Sequence, residues 1–223
     1  MDLKPNVLFI GKMASGKSHA AKFLKEKYGY THLSLADPIR VIEKEFEETN
    51  SGEASTFSDR LWKALGEGNI ITSAQFWKFH GLMTKEVVNI PLETPKPRRR
   101  LQYIGTEIGR KQIDPEIWIK IALHTVHQNA DKYFVCDDVR FLNEYDMFTK
   151  AGFVGLKLVV SPEIQRERLE VLYNMTFDEV KQALSHDSEQ EIDFIPAPSE
   201  YYVNADQSLI KMYKEIETKL ELA

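Results

Sequence analysis

The residues with the most specific chemistry are Gly11-Lys12-Met13-Ala14-Ser15-Gly16-Lys17-Ser18, a GxxxxGKS spacing that follows the apolar run Val7-Leu8-Phe9-Ile10. That chemistry is the holding of phosphate. Gly11 and Gly16 let the backbone turn tightly enough for successive amide N–H groups to converge on phosphate oxygens, and a helix starting there adds its positive N-terminal end. Lys17 reaches the β- and γ-phosphates as a point charge, and the Ser18 hydroxyl is a ligand for the Mg²⁺ that bridges them. Along this loop the expected contacts of a bound nucleotide such as ATP are Gly11, Lys12, Ala14, Ser15, Gly16, Lys17, Ser18 and His19.

Phosphoryl chemistry needs a further carboxylate and more cations, and the chain offers both. Tyr133-Phe134-Val135-Cys136-Asp137-Asp138-Val139-Arg140 reads as a buried strand ending in two carboxylates and an arginine. One carboxylate is expected to hold Mg²⁺ with Ser18, and Asp137 and Asp138 compete for that role; the other is read as a cap for the helix that starts near Asn143. Asp37 follows a second strand. It either faces a phosphate acceptor as base or positioning group, or caps the helix that Pro38 opens. Arg98-Arg99-Arg100 supply planar forks for a second phosphate, with a solvated basic loop as the alternative, and Lys96 extends the cluster. Arg166 and Arg168 are candidates for a lid over the transferring phosphate, against a plain solvated helix face.

These groups must be positioned by a regular frame. Strand patterns fall at 7–10, 31–35, 133–136, 154–160 and 201–204, and helical patterns alternate with them. The fold expected is α/β, a three-layer arrangement with a mainly parallel five-stranded sheet, a helical insertion and a lid. The end of the second strand is expected beside that of the first. Gly29 and Gly152 read as helix stops, Thr176-Phe177-Asp178-Glu179 as a capping box, and His186-Asp187-Ser188-Glu189 as the end of that helix. Asp114-Pro115 opens an amphipathic helix through Val126, expected to cover one sheet face. The C-terminal helix is expected to pack through Leu209, Ile210, Tyr213, Ile216 and Leu220.

Between residues 50 and 97 the chain changes character, with Gly66, Gly68 and an aromatic patch of Phe76, Trp77 and Phe79. This stretch reads as an acceptor-side insertion whose aromatics either stack on a base or pack a small core.

Composition bounds the rest. The chain has 223 residues, enough for one α/β domain or such a domain with an insertion, and a formal net charge of −5, which argues against a surface that coats nucleic acid. Apolar runs fall short of the roughly 20 residues of a membrane span, and the start lacks a secretory pattern. A cytoplasmic location, without membrane partners or stable nucleic-acid binding, is the expectation. A single cysteine, Cys136, excludes an internal disulfide and a multi-cysteine zinc site.

Taken in order, the segments resemble the bacteriophage deoxynucleoside monophosphate kinases of the P-loop nucleoside monophosphate kinase superfamily. The anchors are Gly11 to Ser18, Leu35-Ala36-Asp37-Pro38-Ile39-Arg40, Arg99-Arg100-Leu101-Gln102 with Gly105-Thr106-Glu107, Trp118, Asp138-Val139-Arg140 and Asn204-Ala205-Asp206-Gln207-Ser208. The resemblance implies transfer of the γ-phosphoryl of ATP, with Mg²⁺, to a deoxynucleoside 5′-monophosphate. It implies one kinase domain over 1–223, with a core of 1–49, 101–163 and 200–223, an acceptor-binding insertion of about 50–100 and a lid of about 164–199. On that pattern Lys17, Asp37, Asp138, Arg140, Arg166 and Arg168 are catalytic, and Asn204 joins the ATP contacts. The acceptor side comprises Asp37, Arg40, Trp77, Arg99, Arg100, Gln102, Arg110 and Arg140, and Ser18 and Asp138 hold the metal. The location implied is the host cytoplasm, with a homodimer as one open assembly state.

Rival readings differ in the acceptor. A dephospho-coenzyme A-like hydroxyl acceptor would make a base at Asp37 important, whereas a monophosphate oxygen is already ionised and needs none. A nucleotide switch without an acceptor would have no use for the second arginine cluster, and the guanine-reading Asn-Lys-x-Asp is absent from the sequence. A kinase acting on DNA would bind with steep salt dependence.

Overall fold

The computed structural model describes residues 4–49, 54–65, 70–93, 97–172, 174–185 and 187–222. Gly66, Gly68, Lys96 and His186 lie outside the described residues. In chain order the elements are β1 (Asn6–Ile10), α1 (Lys17–Tyr28), β2 (Thr31–Leu33), α2 (Asp37–Thr49), α3 (Ala54–Leu65), α4 (Ser73–Lys85) and α5 (Arg98–Gln102). A wider π-helical run, Tyr103–Ile113, continues α5; then come α6 (Ile117–Gln128), β3 (Phe134–Cys136), α7 (Leu142–Lys150) and β4 (Phe153–Val159). The chain closes with α8 (Pro162–Leu172), α9 (Phe177–Leu184), α10 (Asp187–Phe194), β5 (Tyr202–Asn204) and α11 (Leu209–Lys219).

Contacts gather the chain into two compact units, one from 1–34 with 129–223 and one from 35–128. The first holds a five-stranded sheet in the order β2-β3-β1-β4-β5. Every pairing in it is parallel. The strand beside β1 is therefore β3, not β2: β3 separates the two, which corrects the neighbour expected for the first strand. Parallel strands buried on both faces need apolar side chains throughout, and Val7, Leu8, Phe9 and Ile10 are all fully buried.

Helices cover both faces of this sheet. On one side Val7, Phe9, Leu158 and Val203 pack with Ala20, Ala21 and Leu24 of α1 and with Met212 and Ile216 of α11. On the other, Ile10 packs with Tyr145 of α7 and with Ile192 and Ile195 at α10 and its end. This is the three-layer P-loop α/β architecture. The face of α11 differs from the expected one: Met212, Ile216 and Leu220 point inward at a spacing of four, while Leu209 and Ile210 are 43% and 70% exposed. Tyr213 stacks flat on Phe23, ring centroids 4.2 Å apart.

Two residues that break the apolar run of β4 have structural tasks. Gly155 leaves the space that the Tyr145 ring fills, since a Cβ there would come within 2.8 Å of it. Lys157 is buried and donates its ammonium to the carbonyls of Ile195 (3.0 Å) and Asp193 (3.4 Å), satisfying the C-terminal end of α10.

The second unit is helical. It begins at Leu35, ahead of the change in composition at residue 50, and includes α6. Its interior contains Ile42, Phe46, Phe57, Leu61, Phe76, Phe79, Met83, Ile104, Ile108 and Trp118. Thr72 and Gln75 form a capping box at the start of α4. Trp118 of α6 packs on the π-helical run: its ring N–H donates to the Gly105 carbonyl at 2.8 Å and its ring meets Phe79 edge-on.

Candidate active site

The loop between β1 and α1 has the form that phosphate binding requires. A Cβ at Gly11 would lie 2.7 Å from both the Leu158 carbonyl oxygen and Ser15 Oγ, so only glycine lets the loop pass this close to β4. Gly16, at φ +93°, takes the left-handed turn immediately before α1. Ser15 Oγ is buried with no hydrogen-bond partner, a polar atom of the loop that a bound group can satisfy. Lys17 is 8% exposed and donates to the carbonyls of Gly11 (2.5 Å) and Lys12 (2.8 Å). Burial, and then the charge of Arg140, bring its ammonium down to about 8, against the opposing pull of Glu189 and Asp137. At neutral pH it is still mostly charged.

The end of β3 places two carboxylates beside that loop. Asp137 accepts hydrogen bonds from His32 Nε2 at 2.7 Å and from Ser18. Burial works against ionising Asp137, but the bonds from His32 and Ser18 and the charge of Lys17 outweigh it and hold the carboxyl below its ordinary value. Asp138 accepts from Ser34 Oγ (2.7 Å) and from the Cys136 thiol (3.1 Å). Burial pushes that thiol well up, so it stays protonated. Hence the carboxylate joined to Ser18 is Asp137, where the sequence reading assigned Asp138. At the start of α7 the capping carboxylate is that of Glu144, buried and accepting from the backbone N–H of Arg140 (2.7 Å) and Phe141 (3.2 Å).

Helices α8 and α10 also close on the loop. Gln165, only 4% exposed, donates to the Met13 carbonyl at 2.9 Å. Arg168 donates to the carbonyls of Ala14 (3.1 Å) and Ala205 (2.7 Å), tying the phosphate loop to the residue after β5. Arg168 is thus anchored to backbone and not presented on a solvated face; Arg166 is exposed. Glu189, 2% exposed, accepts from Met13 N–H at 2.7 Å and from Arg140 Nη1 at 2.8 Å. Asn204 accepts from the Asp206 N–H at 2.9 Å, and Asp206 from the Ser161 N–H at 2.8 Å. His19 is exposed on the first turn of α1, and Lys12 pairs with Asp193 at 2.8 Å.

The residues assigned to the acceptor divide between the units. Arg140 lies in the first; Asp37, Arg40, Trp77, Arg99, Arg100, Gln102 and Arg110 lie in the second. Asp37 and Arg40 pair across one turn of α2 at 2.5 Å, both exposed. Arg99 is exposed and pairs with Glu93 at 2.9 Å. Arg100 differs from the expected open position. It is buried, donates to the Ile90 carbonyl at 2.8 Å and pairs with Glu47, with Glu43 at 3.7 Å, so its fork holds α2 to the start of α5. Trp77 is 61% exposed and meets Phe76 and His80 edge-on, whereas Phe76 and Phe79 are core. Gln102 is exposed.

Sequence reasoning passed over His32, Glu144, Gln165 and Glu189. Only Glu144 left a trace, as the N3 residue of a cap with no Ser or Thr before it. Among the described residues no helix is long and apolar enough to cross a membrane.

No family model matches the chain. An adenylate kinase of Flavobacterium psychrophilum is 46% identical over 56 residues, covering 25% of this chain and 28% of that protein. A putative deoxynucleotide monophosphate kinase of Acanthamoeba polyphaga mimivirus is 26% identical over 163 residues, covering 67% of this chain and 70% of that protein. A deoxynucleoside-5′-monophosphate kinase of Escherichia phage T5 is 32% identical over 60 residues, 27% of this chain and 24% of that one. The first and third matches thus span about a quarter of those proteins' lengths. Among solved structures, TT1252 from Thermus thermophilus aligns with a TM-score of 0.50 at 14% identity, covering 99% of this chain and 98% of that chain, a likeness of fold. All three curated relatives are named as nucleotide monophosphate or adenylate kinases.

Proposed function

We propose that the protein is an ATP-dependent kinase that transfers the γ-phosphoryl group to a nucleotide monophosphate, with deoxynucleoside monophosphates as the preferred class. The observation that carries this reading is the phosphate loop with Lys17 and Ser18 set against Asp137 at the end of the adjacent strand. The names of the mimivirus and phage T5 relatives support the acceptor class.

The residues present fit the groups such a reaction uses. The orphaned Ser15 hydroxyl and the loop's backbone suit a polyphosphate. Ser18 and Asp137, already joined, offer the hard oxygen ligands that suit Mg²⁺, with Asp138 the neighbouring carboxylate. Bound there, Mg²⁺ would supply neutralisation of the donor's phosphate charge. Lys17 places one further positive charge on the transferring group, and Arg140 another from the end of β3. Arg168 and Gln165 keep the loop in shape through the Ala14 and Met13 carbonyls, so the backbone that cradles the donor is set before it arrives. The acceptor's monophosphate oxygen is already ionised at neutral pH. No side chain has to remove a proton from it, which leaves Asp37 an orienting role at most.

The test is a panel of ribo- and deoxynucleoside monophosphates incubated with the purified chain, ATP and Mg²⁺, with diphosphate formation as readout. At least one deoxynucleotide should turn over, and Lys17→Ala should abolish it. A panel without any product, modified bases included, refutes the proposal. Asp37→Asn separates acceptors: a mild loss fits a monophosphate, a loss of several orders of magnitude a hydroxyl.

A further inference from the structure

We propose that Glu189 on α10 is a carboxylate latch that takes the place of a phosphate oxygen in the loop, so that donor phosphate and α10 compete for Met13 N–H and Arg140. The inference rests on the reading of Gly11 to Ser18 as a nucleotide-phosphate site.

A carboxylate is almost never this buried unless its charge is answered, and the partners that answer Glu189 all belong to the anion site. One oxygen accepts from a loop amide at 2.7 Å and the other from the Arg140 guanidinium at 2.8 Å. The Lys17 ammonium is close enough for Glu189 to raise its proton affinity. This is the set of donors and cations that the γ-phosphate of a nucleotide would also seek.

The rest of α10 is built to hold that carboxylate in place. Asp193, one helical turn further on, pairs with Lys12 of the loop at 2.8 Å. Lys157 reaches from β4 to the last carbonyls of the helix, and Ile192 and Ile195 seat against Ile10 and Tyr145. Two carboxylates of one helix therefore neutralise Lys12 of the loop and Arg140 beside it. A triphosphate brings several negative charges to the same place, and it cannot share Met13 N–H and Arg140 with an ionised Glu189. Binding the donor has to release the latch. The nucleotide's apparent affinity is then its intrinsic affinity reduced by the fraction of molecules in which α10 has let go.

The opposite role, in which Glu189 merely orients Arg140 for the donor, predicts the opposite sign, so one measurement decides. Titration calorimetry of the full chain with ATP, and separately with inorganic tripolyphosphate, compares wild type with Glu189→Ala, Glu189→Gln and Asp193→Asn. Glu189→Ala should bind both ligands roughly tenfold more tightly, the gain expected if the latch is closed about ten times as often as open. Glu189→Gln, which keeps an acceptor for Met13 N–H but no charge, should gain less. Asp193→Asn, at an exposed carboxylate, should gain least and guards against a Glu189 variant that fails to fold. Equal or weaker binding in the folded Glu189 variants, or in Asp193→Asn if neither of those folds, overturns the latch. If wild type nevertheless transfers phosphoryl groups, the latch falls alone; if wild type and all variants bind neither ligand, the phosphate-site reading falls with it.

Discussion

Lys17 should cost the free protein stability, and the cost should be visible in its pH dependence. Burial lowers its ammonium from 10.5 to about 8, and at about 1.36 kcal/mol per pKa unit the native state forgoes about 3 kcal/mol of stability while both folded and unfolded chains are protonated. Below pH 8 that cost is present in full. Between about 8 and 10.5 the unfolded chain binds a proton that the native chain has given up, so stability rises with pH; above 10.5 the cost is gone. The perturbation is Lys17→Met, which keeps the length and removes the charge. Urea unfolding of both proteins at closely spaced pH values gives the difference in unfolding free energy, wild type minus variant, from which the titrations of groups beyond the reach of Lys17 cancel. That difference should be flat near pH 7, climb through pH 8 to 10 and level off about 3 kcal/mol higher, in favour of wild type at high pH. A difference that does not change with pH, or that falls as pH rises, refutes the assignment of Lys17 as a buried charge strained by its site. The variant is also expected to lose nucleotide binding, so the residue that destabilises the free protein is the one that the ligand needs.

Asp137→Asn should reduce Mg²⁺-dependent turnover at least about tenfold more than Asp138→Asn, a gap of about 1.4 kcal/mol in the barrier; equal losses would show that the bond to Ser18 does not mark the metal ligand. Arg168→Met removes two donors to backbone carbonyls and should lower stability by about 2 kcal/mol while weakening ATP binding, both measured on one preparation by urea unfolding and calorimetry. Unchanged stability would mean that Arg168 does not brace the loop. Trp118→Phe leaves the Gly105 carbonyl without its ring N–H partner, with an expected loss of about 1–3 kcal/mol in unfolding free energy at constant denaturant sensitivity.

The phosphate loop was legible because its residue types are dictated locally: the strand, the two glycines and the lysine act within a dozen positions of one another. Gly29 ending α1 and the Thr176–Glu179 box opening α9 were legible for the same reason. Strand order was not. Nothing in the run from Thr31 to Leu35 tells whether it pairs with β1 or lies one strand further out, because parallel neighbours are chosen by the crossovers between them. The helical run through Tyr103–Ile113 was missed because Gly105 and Gly109 count against a helix, and the reasons to tolerate them, the Ile39 side chain against Gly105 and the Trp118 ring on Gly109, come from residues outside the run. Asp137 and Asp138 are adjacent in sequence but face different partners, His32 and Ser18 against Ser34 and Cys136. Only the fold could separate them. Glu189 was invisible for a related reason: a glutamate in the acidic stretch Asp187-Ser188-Glu189-Gln190-Glu191 reads as solvated surface until the cations that bury it are in place.

Cys136 gives the molecule a reporter that needs no engineering. It is the sole thiol of the chain, fully buried in the central sheet, and its S–H donates to Asp138 beside the candidate metal carboxylate. A thiol so shielded reacts with a soluble disulfide reagent only when the strand opens, so the labelling rate counts openings of the site itself. Any ligand that braces Asp137 and Asp138 should slow that clock, which makes one unmodified cysteine a screen for the nucleotide the protein prefers.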